Sequence, residues 1–370
     1  MAELTAPLLQ PGQLVLNKYE VQRFLGRGHF GQVFQVFNRN LQQVSALKVI
    51  LVEDPESHKA VVEAQAMSLC GHDHVVRIRT ADVFDGSVLI EMEYIEGGSL
   101  GDRLLREFVP VVDAVTYVKQ ILFALEQAHA KGFVHRDVKP GNIMLAPRTA
   151  KLSDFGTAIH TPTGIRVMDG FYRPHASPEA VSGYEFSPRS DVYAAGLTLL
   201  RAVNNMAGWG HAWRDDVSFT RDIANGDVPG RIGHREWVPR SLKLILNRAC
   251  SKNPDRRYQS AADFRQALEG LQLTRAWIRA SQDEWTCHFE GRTEMLRYVP
   301  GRRHSVEYLV AGRRRTEHCS TWDTERDARL ALERTVAALT LLPTRSKRGG
   351  GRGKRMPQET RHAALPDHGH

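Results

Sequence analysis

The sequence predicts an α+β protein built from a β-rich half, a helical half and a small β-β-β-α module. β-Favouring residues separated by glycine turns fill residues 17–95, and long amphipathic periods follow in residues 96–272. Alternating apolar residues return in residues 283–340 and end in a helical period. The pair Gly97-Gly98 interrupts the chain between the two halves, so we expect a hinge there.

The first half begins with a short arm, residues 1–16, and continues as strands and glycine turns over residues 19–52. Apolar spacing predicts a helix over residues 57–69. Two strand-like runs follow, at about 75–84 and 87–95, and complete this half.

Periodic apolar residues also predict the elements of the second half and of the module. A helical apolar period predicts four helices, over residues 111–131, 188–204, 241–250 and 261–271. In the module, three strands precede a helix that Asp323 or Thr324 is expected to cap. Residues 344–370 contain Gly349-Gly350-Gly351 and are expected to be a disordered basic tail.

The composition excludes several protein classes. The 370 residues are 42% hydrophobic and 25% charged, as in ordinary globular proteins with a large core. No apolar run reaches the ~18–20 residues that cross a bilayer, and the N-terminus lacks the pattern of a secretory signal. The four cysteines form no Cys-x-x-Cys pair. We therefore expect a cytoplasmic protein with reduced thiols and no membrane partner.

The net charge of +8 is concentrated in the C-terminal quarter. The basic clusters there are Arg302-Arg303, Arg313-Arg314-Arg315, and Arg345, Lys347, Arg348, Arg352, Lys354 and Arg355. Such clusters can bind nucleic acid or other polyanions, but they also form solvated faces. The charges by themselves favour the solvated face.

A glycine-rich turn follows the first strand-like run, with glycines at positions 26, 28 and 31. Glycines let backbone amides approach phosphate oxygens without a Cβ in the way. Taken alone, Gly-x-Gly-x-x-Gly also fits a dinucleotide site, but that site requires a helix next. Here β-favouring residues 33–37 follow instead, which favours a hairpin that closes over ATP.

Lys48 lies inside the apolar run Ala46-Leu47-Lys48-Val49-Ile50. Burying an unpaired ammonium is costly, so this lysine is expected to pair with ATP phosphates and with a helix carboxylate. Glu63 on the predicted helix is the candidate partner. Glu53 and Glu56 are nearer in sequence, but they flank Pro55 before the helix begins. Farther along, the last strand before the hinge would offer the backbone near Glu93 and Tyr94 to adenine, with Met92 lining the pocket behind it.

The segment His135-Arg136-Asp137-Val138-Lys139-Pro140-Gly141-Asn142 carries the side chains that phosphoryl transfer to a hydroxyl requires. Asp137 can orient the hydroxyl and accept its proton, Lys139 can offset phosphate charge, and Asn142 can hold magnesium. Asp154-Phe155-Gly156 begins 17 positions after Asp137 and offers a second magnesium ligand. Downstream, Glu179 is expected to pair with Arg257, and Asp191 to accept hydrogen bonds from the backbone of this segment.

In this order, the motifs of residues 17–272 resemble the eukaryotic-like serine/threonine protein kinases, particularly the bacterial (Hanks-type) members. The resemblance implies the two-lobed protein-kinase fold, with a β-rich N-lobe (17–95) and a helical C-lobe (96–272). It also implies an active enzyme that uses ATP and Mg²⁺, with Mn²⁺ as a substitute ion, on a protein substrate. The implied catalytic residues are Asp137, Lys139, Lys48 and Glu63, and the implied metal ligands are Asn142 and Asp154. The implied nucleotide-binding residues are Leu25, Gly26, Gly28, Gly31, Val33, Ala46, Lys48, Met92, Glu93 and Tyr94.

Two further expectations concern the segment after Asp154. Arg136 before the catalytic aspartate suggests control by a phosphate, for which Thr157, Thr161 and Thr163 are candidates. Tyr172 stands where the family usually has a threonine that contacts the catalytic aspartate and lysine. This departure leaves the acceptor preference open.

Three alternatives remain beside an active protein kinase. A pseudokinase scaffold is disfavoured because no catalytic residue is missing. A small-molecule kinase typically lacks the equivalents of Arg136 and Lys139. The module weakly resembles the N-terminal DNA-binding domains of some phage integrases, which would make residues 283–355 a nucleic-acid partner site. A generic docking or regulatory module is the favoured interpretation.

Overall fold

The structure is a computed structural model that describes residues 7–28, 31–51, 71–155, 159–160, 173–183, 185–209, 213 and 215–342. The predicted helix over 57–69 and the basic tail lie outside these residues. Within the described ranges, no helix combines the length and apolar character that spanning a bilayer requires.

A six-stranded antiparallel sheet forms the N-lobe, in the spatial order β1-β2-β3-β4-β6-β5. Its strands are β1 (Leu14–Val15), β2 (Tyr19–Gly28), β3 (Gly31–Asn38), β4 (Gln43–Leu51), β5 (Ile78–Phe84) and β6 (Ser87–Glu93). Alternation places successive side chains on opposite faces. One face buries Phe34, Leu47 and Leu89 beneath Leu8 and Leu9 of the N-terminal arm. The opposite face carries Lys48.

The hinge between the lobes depends on two glycines. A Cβ on Gly97 would lie 2.0 Å from the carbonyl oxygen of Leu145, so only glycine permits this approach. Gly98 has a φ of +69°, and its carbonyl accepts a hydrogen bond of 2.8 Å from the N–H of Leu145. The hinge is thereby joined to the strand that follows residues 135–142, which are called the catalytic segment from here on.

The helical lobe is built around two long helices, α2 and α4. The described elements are α1 (Leu100–Arg106), α2 (Val111–Ala130), β7 (Phe133–Val134), β8 (Ile143–Ala146), β9 (Thr149–Leu152), β10 (Ile159–His160), α3 (Pro178–Gly183), α4 (Pro188–Val203), α5 (Asp216–Asn225), α6 (Val228–Ile232), α7 (Arg240–Ala249) and α8 (Ala261–Glu269). Every residue of α4 from Ser190 to Val203 is buried, so this helix is the centre of the lobe. Its polar side chains must therefore find partners inside the protein.

The C-terminal module is a six-stranded antiparallel sheet covered by one helix. Its elements are β11 (Ile278–Arg279), β12 (Glu284–Phe289), β13 (Arg292–Val299), β14 (His304–Val310), β15 (Arg313–Arg314), β16 (Ser320–Trp322) and α9 (Glu325–Thr340). The β-β-β-α order is confirmed, with three short strands added to it. Thr324 is the N-cap, since its hydroxyl accepts a hydrogen bond of 3.1 Å from the N–H of Asp327.

The module and the helical lobe share one hydrophobic core. Trp285 of β12 lies against Phe108 and Trp237 of the lobe, with ring centroids 5.1 and 5.4 Å apart. The guanidinium of Arg279 covers the rings of Trp237 and Trp285. Because apolar contacts are continuous across this junction, we expect the two parts to unfold together.

Trp285→Ala should therefore destabilise the whole protein and not the module alone. Trp285 is 1% exposed, and truncating a buried tryptophan typically costs about 3–5 kcal/mol. Trp322→Ala is the matched control, because that ring is 38% exposed in the same module. Urea unfolding followed by circular dichroism measures the effect. A separate early transition, with the helical signal unchanged, would contradict the shared core.

Candidate active site

Asp191 of α4 holds the backbone of the catalytic segment from below. Its carboxylate accepts hydrogen bonds from the N–H groups of His135 (2.8 Å) and Arg136 (2.9 Å) and from Nε2 of His129 (2.8 Å). Burial would raise the pKa of Asp191, but these hydrogen bonds outweigh it and hold the pKa below its usual range. The predicted role of Asp191 is confirmed, and the same contacts secure Arg136 at a φ of +69°. Sequence reasoning missed His129.

Asp137 has two unlike carboxylate oxygens. Oδ2 accepts hydrogen bonds from Nζ of Lys139 (2.7 Å) and Nδ2 of Asn142 (2.9 Å). Oδ1 is buried and has no hydrogen-bond partner among the described residues. Burial raises the pKa of Asp137, and Lys139 opposes this shift in part. The side chain is therefore fixed in orientation, while Oδ1 retains an acceptor capacity that no described residue uses.

His135 connects the catalytic segment to the segment that carries Asp154. The N–H of Asp137 donates to Nδ1 of His135 (3.2 Å), so Nε2 carries the proton that is donated to the carbonyl of Ser153 (3.1 Å). The ring also packs edge-on against Phe155, with centroids 4.5 Å apart. Burial lowers the pKa of His135, which agrees with this neutral form. Asp154 thus stands beside the catalytic segment, at a φ of +63°.

Lys48 of the N-lobe contacts Asp154 of the C-lobe. Its side chain is buried, and Nζ lies 2.5 Å from Oδ1 of Asp154. Burial would raise the pKa of Asp154, but the nearby ammonium outweighs burial and lowers the pKa. The predicted partner Glu63 lies outside the described residues, so its pairing with Lys48 stays a prediction.

The nucleotide-binding residues predicted on the sheet occupy neighbouring strand positions. Val33 pairs with Lys48, Ala46 pairs with Met92, and Gly26 pairs with Val33. Leu25 and Gly28 belong to the same strand as Gly26. A Cβ on Gly31 would lie 2.2 Å from the carbonyl oxygen of Val49, so the close turn requires glycine.

Several polar groups of Glu93 and Tyr94, at the end of β6, are already hydrogen-bonded within the protein. The N–H of Glu93 donates to the carbonyl of Arg77 (2.9 Å), while its carboxylate accepts from Nζ of Lys151 (2.7 Å). The Tyr94 hydroxyl accepts a hydrogen bond of 2.9 Å from Arg23. The Glu93 N–H is therefore already engaged within the sheet, and binding of adenine near Glu93 and Tyr94 stays a prediction.

Asn142 and Asp154 can each supply an oxygen ligand to a hard divalent cation. Phosphate oxygens of the nucleotide would complete the coordination of that cation. Nδ2 of Asn142 is committed to Asp137, which leaves Oδ1 as its ligand atom. In the described part of the chain, no group of three or more His, Cys, Asp or Glu side chains could hold a metal alone. Magnesium commonly binds through one or two carboxylates together with substrate phosphates, and these two residues suit that mode.

The pair Glu179 and Arg257 is confirmed. Arg257 donates from Nη1 and Nη2 to the two carboxylate oxygens at 2.6 and 2.8 Å. Burial would raise the pKa of Glu179, but this bidentate contact outweighs it and lowers the pKa. The contact secures the start of α3, directly after the segment of Arg173–His175.

Arg136 lies with its guanidinium over the ring of Phe186, 4.6 Å from the centroid. Sequence reasoning missed this contact. The phosphate-acceptor candidates Thr157, Thr161 and Thr163, as well as Tyr172, lie outside the described residues, so what was expected of them stays a prediction.

Several arginines of the module are paired with carboxylates. Arg297 and Arg314 both contact Glu307, at 2.8 and 3.5 Å, and Arg303 lies 3.4 Å from Asp323. Each pair offsets positive charge on which a phosphate contact would depend. These contacts agree better with the solvated-face interpretation of the basic clusters.

Comparison with known proteins agrees with this geometry. Residues 19–269 match the family described as Protein kinase domain. Serine/threonine-protein kinase PknJ of Mycobacterium tuberculosis is 28% identical, over 68% of this chain and 45% of its own. Serine/threonine-protein kinase PknH of the same species is 31% identical, over 68% and 41%. Serine/threonine-protein kinase pkn3 of Myxococcus xanthus is 31% identical, over 71% and 52%.

The chain spans about half the length of these curated relatives. The family match, by contrast, covers both lobes and every residue of the site described above. With its β-rich lobe, its buried helix α4 and the Asp137–Lys139–Asn142 arrangement, the chain belongs to the protein kinase domain family.

Proposed function

We propose that this protein transfers the γ-phosphoryl group of ATP to serine or threonine hydroxyls of protein substrates. The observation that carries the proposal is the pair of unlike oxygens on Asp137. Lys139 and Asn142 hold Oδ2, so Oδ1 can accept the hydrogen bond, and then the proton, of an incoming hydroxyl. Relatives named serine/threonine-protein kinases support this choice of acceptor.

Each remaining site residue has a role in this proposal. Lys48 would bind the α- and β-phosphates, with Glu63 as its second partner, and Lys139 would neutralise charge on the γ-phosphate. Asn142 and Asp154 would hold Mg²⁺, for which Mn²⁺ is the natural substitute. When bound, the cation would offset charge on the phosphate oxygens.

The nucleotide would lie beneath the glycine turn. In this proposal its phosphates face Gly26, Gly28 and Gly31, and its adenine lies among a set of apolar and hinge residues, Leu25, Val33, Ala46, Met92, Glu93 and Tyr94. A cytoplasmic location belongs to the same proposal. The free thiols of Cys250, Cys287 and Cys319, typical of a reducing compartment, support it.

The direct test is phosphotransfer by the full chain from labelled ATP to a mixture of proteins, followed by phosphoamino-acid analysis. We expect phosphoserine and phosphothreonine in the presence of Mg²⁺, and none with Asp137→Asn. Label on tyrosine alone would overturn the assigned acceptor. An inactive wild-type protein that still binds ATP, with either Mg²⁺ or Mn²⁺, would favour a scaffold.

Autophosphorylation on Thr161 or Thr163 is a second expectation, with Thr157 as the remaining candidate. Arg136 would receive this phosphate, which requires its guanidinium to leave the ring of Phe186. Mass spectrometry of the active protein, with Asp137→Asn as the control, measures the modification. An active preparation that carries phosphate on none of the three threonines would refute it.

A further inference from the structure

Three buried side chains connect the segment after Tyr172 to the catalytic segment. Nη1 of Arg201 lies 2.9 Å from Nε2 of His175, and Nδ1 of His175 lies 3.1 Å from Oγ1 of Thr198. Oγ1 of Thr198 donates in turn to the carbonyl of Val138 at 3.3 Å. All three side chains belong to buried residues, and Val138 directly follows the catalytic Asp137.

The contact with Arg201 determines which nitrogen of His175 accepts and which one donates. Arginine can only donate, so Nε2 of His175 must accept. A neutral imidazole with an accepting Nε2 carries its proton on Nδ1, and this proton faces Oγ1 of Thr198 and the backbone carbonyls of Ala194 and Val138. The Thr198 hydroxyl remains free to donate to the Val138 carbonyl, which can only accept. His175 is therefore the neutral Nδ1–H tautomer.

The surroundings agree with that form and keep Arg201 in place. Burial, with Arg201 beside the ring, holds the pKa of His175 well below its usual range. Nη2 of Arg201 donates to the carbonyl of Ala207 (2.6 Å), and its guanidinium lies 4.4 Å from the ring centroid of Trp209. Trp209 also packs edge-on against His175. The accepting Nε2 of His175 therefore faces the guanidinium of Arg201, and that guanidinium is held in place by Ala207 and Trp209.

These hydrogen bonds join two parts of the site that are far apart in sequence. His175 ends the short helical turn Arg173–His175, and α3 with Glu179 begins three residues later. Arg257 holds the α3 end of this stretch, while His175 holds its beginning against the catalytic segment. If the distance between the two parts is fixed, a polypeptide substrate that binds there presents its hydroxyl to Asp137 in a single orientation.

We propose that His175 is a positioning residue, which as the Nδ1–H tautomer sets the distance between residues 173–178 and the catalytic segment and thereby places the protein substrate. The proposal rests on the proposed kinase activity for its functional half. Its structural half, the tautomer and the direction of the hydrogen bonds, is independent of activity.

Two amide variants separate the two contacts of the imidazole. The side-chain amide of His175→Asn coincides with Nδ1 and keeps the donor to Thr198. The longer side chain of His175→Gln reaches the place of Nε2 and keeps the acceptor for Arg201. His175→Phe removes both contacts at similar volume. We expect the contact with Thr198 to contribute more to the placement of the substrate than the contact with Arg201, because Thr198 donates to the carbonyl of Val138 in the catalytic segment.

The expected kinetic result is a split between substrates. For a protein substrate, kcat/KM should fall about tenfold or more in His175→Phe and His175→Gln, and less in His175→Asn, while KM for ATP stays unchanged. Equal losses in all three variants, or a parallel rise of KM for ATP, would indicate general misfolding of the lobe and overturn the positioning role.

Nitrogen-15 spectra of the wild-type histidine side chains provide the second measurement, with the His175 signals assigned by their absence in His175→Asn. We expect Nδ1 to be protonated and Nε2 to be unprotonated at neutral pH. An Nε2–H tautomer or an imidazolium would refute the proposal. If the wild-type protein transfers no phosphate, the proposed kinase activity fails and the placement of substrate with it, whereas this spectrum still decides the structural half.

Discussion

Asp137→Asn should lower the rate of phosphotransfer by about 10²–10⁴-fold, the range typical of losing a general base. Asparagine preserves the shape of the side chain but cannot take the proton of the incoming hydroxyl. The loss should lie in kcat, because the carbonyl oxygen of asparagine can still accept hydrogen bonds from Lys139 and Asn142, the two neighbours proposed to face the phosphate and the cation. Single-turnover kinetics and ATP binding by fluorescence titration separate the two steps.

Asp323→Asn is the matched control, since that side chain is 87% exposed and belongs to the C-terminal module. It should retain wild-type kinetics. A rate in Asp137→Asn within threefold of the wild-type rate would remove the aspartate from the chemistry.

The pH dependence of the wild-type enzyme follows from the same carboxylate. Burial raises the pKa of Asp137, so its proton-accepting form is lost at a higher pH than for an exposed aspartate, as the pH falls through that value. We expect kcat to decline on the acid side above the usual range near 3.9. Asp137→Asn should lack this decline in its residual rate.

Asp191→Ala should cause the largest loss of stability among substitutions near the site. It leaves the buried N–H groups of His135 and Arg136 without their acceptor, and each unsatisfied group costs about 1–3 kcal/mol. The catalytic segment should also lose its shape, since Arg136 at positive φ depends on these bonds. Asp191→Asn retains one carbonyl acceptor and should lose less. Urea unfolding, with Asp323→Ala as the control, measures the difference.

The linkage between pH and stability gives this prediction a second readout. The pKa of Asp191 is lower in the folded protein than its unfolded value of about 3.9. Its contribution is therefore complete above the unfolded value and is lost as the pH falls through the folded value. The stability gap between wild type and Asp191→Ala should be constant near neutrality and narrow in acid. A gap that widens in acid would contradict the assigned hydrogen bonds.

The long helices and the chemistry of the catalytic segment were predictable because they depend on local pattern. A helical apolar period extends over many residues, so α2 and α4 were predicted to within one residue at each end. The strands β11, β15 and β16 contain only two or three residues, too few to show a period, and they were missed. The shared core around Trp285 was also missed, because contacts between distant segments leave no periodic signal.

The residue types at the site and their order follow from local spacing, since the distances in sequence from Asp137 through Asn142 to Asp154 are a property of the chain. The hydrogen-bond partners of the individual atoms depend instead on the three-dimensional fold. Among the described residues, Oδ1 of Asp137 has no hydrogen-bond partner, because Lys139 and Asn142 both donate to Oδ2. His175 is a directed link because helix α4 brings Thr198 and Arg201 to its two nitrogens. Hydrogen-bond direction depends on three-dimensional neighbours, and sequence spacing does not encode them.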